Sequence, residues 1–256
     1  MTRDSTLRVA VAGARGRTGS IVTEALRRAP DIALVGVLVR QSGVNTDVEF
    51  SDLGRLATET KPQVLVDFTV FPDSKAIALK AISLGIRPVI GTSGYHATDV
   101  EELREASRTS KIGAVYAPNF SIGAALMMQF AKAAAPYFNS AEIIETHHSG
   151  KKDAPSGTAL ATAKLIADAG LMQRAQSEIV KSPCARGADV DGVGIHSIRT
   201  PGVVGIHEVR FSSDDETLVI THSTSTRTAF VAGVLRAVRA APGLDHLALG
   251  LEELAT

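Results

Sequence analysis

The stretch Leu7-Arg8-Val9-Ala10-Val11-Ala12-Gly13-Ala14-Arg15-Gly16-Arg17-Thr18-Gly19 decides the fold. Residues 7–12 are an apolar run broken by one arginine, short enough for a buried strand of a parallel sheet. Gly13, Gly16 and Gly19 then permit a tight turn and close approach of backbone to a ligand. Residues 20–28 follow with helical spacing through Ile21, Val22, Ala25 and Leu26. A helix opening directly after such a turn aims unpaired N–H groups at whatever the glycines admit, which suits a pyrophosphate. The spacing is GxxGxxG rather than the commoner GxGxxG, and glycine turns after strands also arise from packing alone. The strand–turn–helix setting favours dinucleotide binding.

Further short apolar runs lie at residues 32–39, 64–68, 88–90 and 114–116, with helical stretches at 74–84 and 99–107. This alternation predicts a doubly wound, Rossmann-like parallel sheet. The pattern changes after Pro118. Residues 122–135 read as a helix capped by Asn119 or Ser121, 141–146 as a strand, and 155–169 as a helix opened by Pro155-Ser156-Gly157-Thr158. Strand-like segments at 193–199, 207–211 and 217–222 suggest an antiparallel meander, and residues 228–240 a closing helix. The expected architecture is α/β: a Rossmann-like domain from residues 1–118 and 228–256, and an α+β domain from 119–227 with an open mixed or antiparallel sheet. Residues 173–191 lack a clear period and read as a surface loop or a lid.

Composition narrows the function. Lys plus Arg and Asp plus Glu balance at 27 each, so nothing draws the whole molecule to nucleic acid or an anionic membrane. A single cysteine, Cys184, excludes an intrachain disulfide and a multi-cysteine metal site. The histidines show no HExxH spacing, so no metal is expected, and no GxSxG elbow signals a serine hydrolase. No secretory signal is legible, and the apolar stretch 124–138 is too short and too polar for a bilayer span. A cytoplasmic protein without membrane partners is the expectation.

Cofactor choice turns on the end of the second strand, where NAD-binding folds place an Asp or Glu to accept from the ribose 2′-OH. Here the sequence reads Val39-Arg40-Gln41, and Arg17 adds a second positive charge in the loop. A basic residue suits a 2′-phosphate, so NADPH is favoured over NADH, although Arg40 also suits an ordinary solvated loop.

The densest chemistry lies in Glu145-Thr146-His147-His148-Ser149-Gly150-Lys151-Lys152-Asp153-Ala154-Pro155-Ser156-Gly157-Thr158. Two histidines end a strand, two lysines occupy a turn, and Ser-Gly-Thr opens a helix. Proton donors, cations and anion-binding N–H groups together suit a small polycarboxylate that must be held and protonated. Each part also has an ordinary structural explanation, and adjacent histidines on a strand face opposite ways. Their joint occurrence favours a site.

The same residues resemble the HHxxKxDAPSGTA signature of the dihydrodipicolinate reductase family. The resemblance extends through the Gly13 loop, Val66-Asp67-Phe68-Thr69, Gly91-Thr92-Ser93-Gly94-Tyr95 and Ala117-Pro118-Asn119-Phe120-Ser121-Ile122-Gly123. It continues through Ala185-Arg186-Gly187-Ala188-Asp189 and Arg227-Thr228-Ala229-Phe230. The resemblance implies an NAD(P)H-dependent reduction of a cyclic hydroxy-imine dicarboxylate in diaminopimelate and lysine biosynthesis. It implies His147 as general acid, Lys151 as the group that binds or polarises the substrate, and His148, Ser156, Gly157 and Thr158 as substrate ligands. It further implies Gly13, Gly16, Arg17 and Thr18 at the pyrophosphate and Arg40 at the adenosine ribose or its phosphate. Gly91, Thr92, Gly94, Ala117 and Phe120 would line the nicotinamide and its ribose. A homotetramer built on the second sheet is implied as well. Many members carry a further histidine where this chain has Gly150, so one substrate-side donor is absent here. Two other readings stand beside this one: a Rossmann dehydrogenase of another amino or hydroxy acid, and a non-catalytic dinucleotide sensor.

Overall fold

The computed structural model describes residues 6–40, 48–171 and 185–254. The chain divides into two compact units, one of Met1–Ser121 with Thr228–Thr256 and one of Ile122–Arg227.

The first unit runs β1 (Leu7–Ala12), α1 (Arg17–Arg28), β2 (Ile32–Leu38), β3 (Glu49–Phe50), α2 (Leu53–Thr60) and β4 (Val64–Asp67). It continues with α3 (Asp73–Ser83), β5 (Arg87–Ile90), α4 (Ala97–Ser110) and β6 (Ala114–Tyr116). The second unit holds α5 (Ile122–Ala134), β7 (Ser140–His147), α6 (Gly157–Asp168), β8 (Ala188–Val190), β9 (Val193–Arg199), β10 (Gly205–Ser212) and β11 (Thr217–Thr224). The chain then returns to the first unit through α7 (Val231–Ala240) and β12 (Leu247–Leu249).

The sheet of the first unit is parallel, in the order β12-β6-β5-β4-β1-β2-β3. Val9, Ala10, Val11 and Ala12 are all fully buried, as a strand covered on both faces requires. Ala10 and Ala12 pack with Leu53, Leu56 and Ala81, so the alternating Val9 and Val11 point to the opposite face. The strand order reverses at β1, which has β2 on one side and β4 on the other. That reversal opens a crevice at the carboxyl ends of β1 and β4, where ligands of such sheets bind. α1 starts at Arg17 rather than at residue 20, because the glycine loop itself turns into the helix. A Cβ on Gly19 would lie 2.0 Å from the Gly13 carbonyl oxygen, so the close seating of α1 on the loop requires glycine.

The second unit carries a mixed sheet in the order β11-β10-β7-β9-β8. The expected meander is corrected here. Only β10 and β11 form adjacent antiparallel neighbours of the three segments; β7 lies between β10 and β9, and β9 runs parallel to β7. α6 follows β7 in sequence and packs on β7, β8 and β9. After α6 the chain first forms β8, and β9 turns back antiparallel to it, which sets β9 parallel to β7. Apolar residues of α5 and α6, including Met127, Ala131, Ala163 and Ile166, meet Ile143, Ile195, Val209 and Phe211 on one sheet face. On the opposite face Ile198 and Val219 are exposed.

Of the segment 173–191, residues up to 184 lie outside the described part, while residues 188–190 form β8, antiparallel to β9. Among the described residues no helix is long and apolar enough to cross a membrane.

Candidate active site

In the first unit, a cavity of about 1010 Å³ opens at the crevice beside β1, its lining including Gly13, Gly16, Arg15, Arg40, Asp73 and Lys80. Gly13 has φ +80°, and a Cβ there would stand 2.6 Å from the Phe68 carbonyl oxygen. Glycine is therefore required both by conformation and by the neighbouring strand end. The Gly16 N–H donates to the Gly13 carbonyl at 2.9 Å, and Gly16 caps α1 without a side chain, leaving the helix start bare. The cradle thus fits a pyrophosphate. Arg17 and Thr18 occupy the first turn of α1, and the arginine lining the cavity from this loop is Arg15. Arg40 pairs with Asp73 at 2.5 Å, and Arg15 with Glu49 at 2.6 Å.

The remaining expected cofactor residues gather at the carboxyl ends of β4, β5 and β6. The Phe68 ring covers Gly91 so closely that a Cβ there would lie 2.2 Å from it, and Phe68 meets Phe120 with ring centroids 5.8 Å apart. Thr92 donates its hydroxyl to the Thr69 carbonyl at 3.1 Å, and the Ala117 N–H donates to Ile90 at 3.0 Å. Asp67 anchors this region by accepting from the Thr69 N–H and hydroxyl and from Ser74. Burial pushes its carboxyl pKa up, against those bonds.

The second unit assembles a polar cluster at one end of its core-facing sheet surface. Along β7, Ala141, Ile143, Glu145 and His147 share one face, with the first three buried. The register places Gly205 opposite His147 and His207 opposite Glu145 on β10, and Arg199 beside His147 on β9. The Glu145 carboxylate, fully buried, lies 2.5 Å from Nδ1 of His147 and accepts two bonds of 2.8 Å from the Arg199 guanidinium. It also accepts from the Ser156 N–H at 3.1 Å. Burial alone would raise the Glu145 pKa, but the bonds from His147, Arg199 and Ser197 outweigh it and hold the carboxyl well below the usual range. Arg199 donates in addition to the Asp153 carbonyl at 2.6 Å, tying the loop to the sheet. Gly205 leaves room for the His147 ring, since a Cβ there would sit 3.1 Å from Nε2.

Ser156 caps α6 by accepting from the Ala159 N–H, and its hydroxyl lies 3.0 Å from Nε2 of His207. Gly157 opens the helix with nothing within 4 Å of where a Cβ would stand. That start presents backbone N–H groups outside the helical ladder. Lys151, largely covered, pairs with Asp153 at 2.7 Å. His148 follows the end of β7, its ring close to Gly150. The structure therefore brings His147 and Ser156 together through Glu145. Among the described residues no group of three or more His, Cys, Asp or Glu side chains could hold a metal ion.

The roles of Glu145, Arg199 and His207 are not legible in the sequence alone. Their signal was parity: an acid and a histidine each sit on the inward face of otherwise apolar strands. Burial, with a smaller contribution from the nearby His147, pushes the His207 pKa down to about 4. The unfolded chain, with an ordinary histidine near 6.5, binds this proton first, so stability from His207 is complete above pH 6.5 and lost as pH falls through 4. The loss is about 3 kcal/mol at most. Urea unfolding between pH 7 and pH 4 is expected to show a shallower decline in His207→Gln than in the parent protein. Equal declines would assign the acid sensitivity to other groups.

The parallel sheet with its glycine cradle and the separate mixed-sheet unit define a class: Rossmann-type oxidoreductases that use a nicotinamide dinucleotide. Within it, residues 7–120 match the model "Dihydrodipicolinate reductase, N-terminus" and residues 123–253 the model "Dihydrodipicolinate reductase, C-terminus". The chain belongs to the dihydrodipicolinate reductase family. It is 41% identical over 263 residues to the 4-hydroxy-tetrahydrodipicolinate reductase of Geobacillus thermodenitrificans, covering 97% of this chain and 99% of that one. The enzyme of the same name from Listeria welshimeri is 40% identical, with 97% and 99% covered. The solved dihydrodipicolinate reductase of Paenisporosarcina sp. TG-14, with dipicolinate bound, superposes with a TM-score of 0.85 at 32% identity, covering 98% of this chain and all of that one.

Proposed function

We propose that this chain reduces 4-hydroxy-tetrahydrodipicolinate to tetrahydrodipicolinate, with loss of water, in diaminopimelate and lysine biosynthesis. The observation that carries the reading is the His147 ring fixed by Glu145 next to the Ser156 start of α6. A positioned proton donor and an anion-binding helix start are what a dicarboxylate awaiting hydride and proton requires. The dipicolinate held by the Paenisporosarcina relative supports a planar cyclic dicarboxylate as the ligand class. Neither a dinucleotide sensor nor a dehydrogenase of a different acid accounts for this cluster.

The glycine cradle and the cluster around Glu145 support the following roles. Gly13, Gly16, Arg17 and Thr18 hold the pyrophosphate, and Arg40 the adenosine ribose or its 2′-phosphate. Gly91, Thr92, Gly94, Ala117 and Phe120 line the nicotinamide and its ribose. The bound nicotinamide supplies the hydride. His147 donates the proton from Nε2 while its Nδ1–H stays on Glu145. The substrate carboxylates bind Lys151 and the α6 start at Ser156, Gly157 and Thr158, assisted by His148. Lys151→Ala removes a charge-assisted contact worth about 1.5–3 kcal/mol, so KM for the substrate should rise about 10- to 100-fold. Dinucleotide affinity should stay at the parent value; a fall there would relocate the lysine to the cofactor.

NADPH is the preferred cofactor and NADH is usable. Arg40, Arg15 and Lys80 put positive charge on the cavity wall, while Asp73 holds part of it back from a 2′-phosphate. Comparison of kcat/KM for the two cofactors should favour NADPH; a strong NADH preference would overturn this assignment. The assembly is a homotetramer built on the sheet face that exposes Ile198 and Val219, and the enzyme works in the cytoplasm.

A further inference from the structure

We propose that Glu145 and Arg199 are positioning residues for proton transfer: Arg199 fixes the Glu145 carboxylate, and Glu145 fixes His147 so that Nε2 alone carries the transferable proton. The proposal rests on the reading of His147 as the proton donor. A histidine on a strand end can rotate, and its neutral ring can carry its proton on either nitrogen. The acid that gives up a proton is the doubly protonated ring, and it is useful only if the proton on the nitrogen facing the substrate is the one free to leave. Here one nitrogen is committed, because Nδ1 lies 2.5 Å from the Glu145 carboxylate, which only accepts. After Nε2 gives up its proton, the neutral ring left behind is the Nδ1–H form that Glu145 already holds.

Glu145 can do this because donors from several elements hold it in place. Arg199 binds both of its oxygens in a bidentate fork, and the Ser156 N–H binds one of them. A fully buried carboxylate without such partners would take up a proton and cease to be a pure acceptor. The pair is built on two different strands and is joined only by the parallel register of β7 and β9. Arg199 also grips the Asp153 carbonyl, so the arginine that orders the proton donor also anchors the loop carrying Lys151. Also facing His147 is His207 of β10, whose ring meets it edge-on with centroids 5.1 Å apart. His207 is buried and donates or accepts at Ser156, so it does not compete for Nδ1 of His147.

A structural ion pair would affect folding alone; a positioning pair affects turnover in protein that is folded. The test uses the full-length protein with Glu145→Gln, Arg199→Lys and the double variant Glu145→Gln/Arg199→Met. The double variant removes both buried charges together and so avoids leaving either one unpaired. Three readouts are taken: substrate kinetics, NADPH binding by fluorescence, and the histidine tautomers in 15N-labelled protein by long-range 1H–15N spectra. Glu145→Gln is expected to lower kcat at least about 10-fold with substrate KM within about 3-fold, as misdirected histidines do elsewhere. Arg199→Lys, which keeps charge but not the fork, should lose less than the double variant. In the parent protein the neutral His147 ring should be the Nδ1–H form, and in Glu145→Gln and the double variant it should shift towards Nε2–H. NADPH binding should be unchanged throughout.

A double variant that binds NADPH and turns over at the parent rate would overturn the proposal. So would an unaltered tautomer in Glu145→Gln. If instead His147→Ala leaves turnover intact while the tautomer shift occurs, the positioning geometry stands and the assignment of His147 as donor is what fails.

Discussion

His147→Ala is expected to lower the turnover number about 100-fold or more, the usual scale for loss of a general acid. The fold should survive the change. Glu145 retains the Arg199 fork and the Ser156 N–H, so no buried charge is left without a partner. The vacated space lies over Gly205, near the partly exposed end of β7, and not in the apolar core. Dinucleotide binding should also persist, because the Gly13 cradle belongs to the first unit and His147 to the second. Single-turnover measurements with NADPH monitored directly separate these effects. An unchanged rate of the chemical step would remove His147 from proton donation.

Gly13→Ala carries the second large expected effect, on cofactor binding. The residue sits at φ +80°, where an L side chain costs about 1–2 kcal/mol. The added Cβ would also meet the Phe68 carbonyl oxygen at 2.6 Å and its carbon at 2.7 Å. Both are backbone atoms of a strand end locked to β1, where the Phe68 N–H donates to Ala12 at 3.0 Å, so no side-chain rotation relieves the contact. The loop must move, and with it the N–H groups at the start of α1. NADPH affinity should fall at least about tenfold, which corresponds to about 1.4 kcal/mol. Parent-like affinity together with a parent-like melting temperature would contradict the close approach of this turn to β4.

Much of this was legible in the sequence, and the reason differs by element. β1 and β4 announce themselves because strands covered on both faces must be largely apolar. β3 and β12, of two and three residues, are too short to carry any period. The meander was misread because a period of two identifies a strand and says nothing about its neighbour. Between β7 and β10 the chain inserts α6 and the antiparallel β8–β9 pair, so β9 lies on one side of β7 and β10 on the other. At the candidate site, His147 and Ser156 stood out because chemistry is concentrated between Glu145 and Thr158. Arg199 lies 54 residues from Glu145 and His207 lies 51 from Ser156, so only strand register makes them neighbours. Glu145 itself was quoted as part of the motif without a role. Its position two residues before His147, on the same inward face, is what gives it one.

The central claim is that this chain reduces a cyclic hydroxy-imine dicarboxylate with a nicotinamide dinucleotide. The most direct test follows absorbance at the NADPH band while the purified protein meets freshly generated 4-hydroxy-tetrahydrodipicolinate. The account predicts NADPH loss that depends on both protein and substrate, falls about 100-fold in His147→Ala, and forms tetrahydrodipicolinate in equal amount. Protein that binds NADPH but consumes none with this substrate present would contradict it.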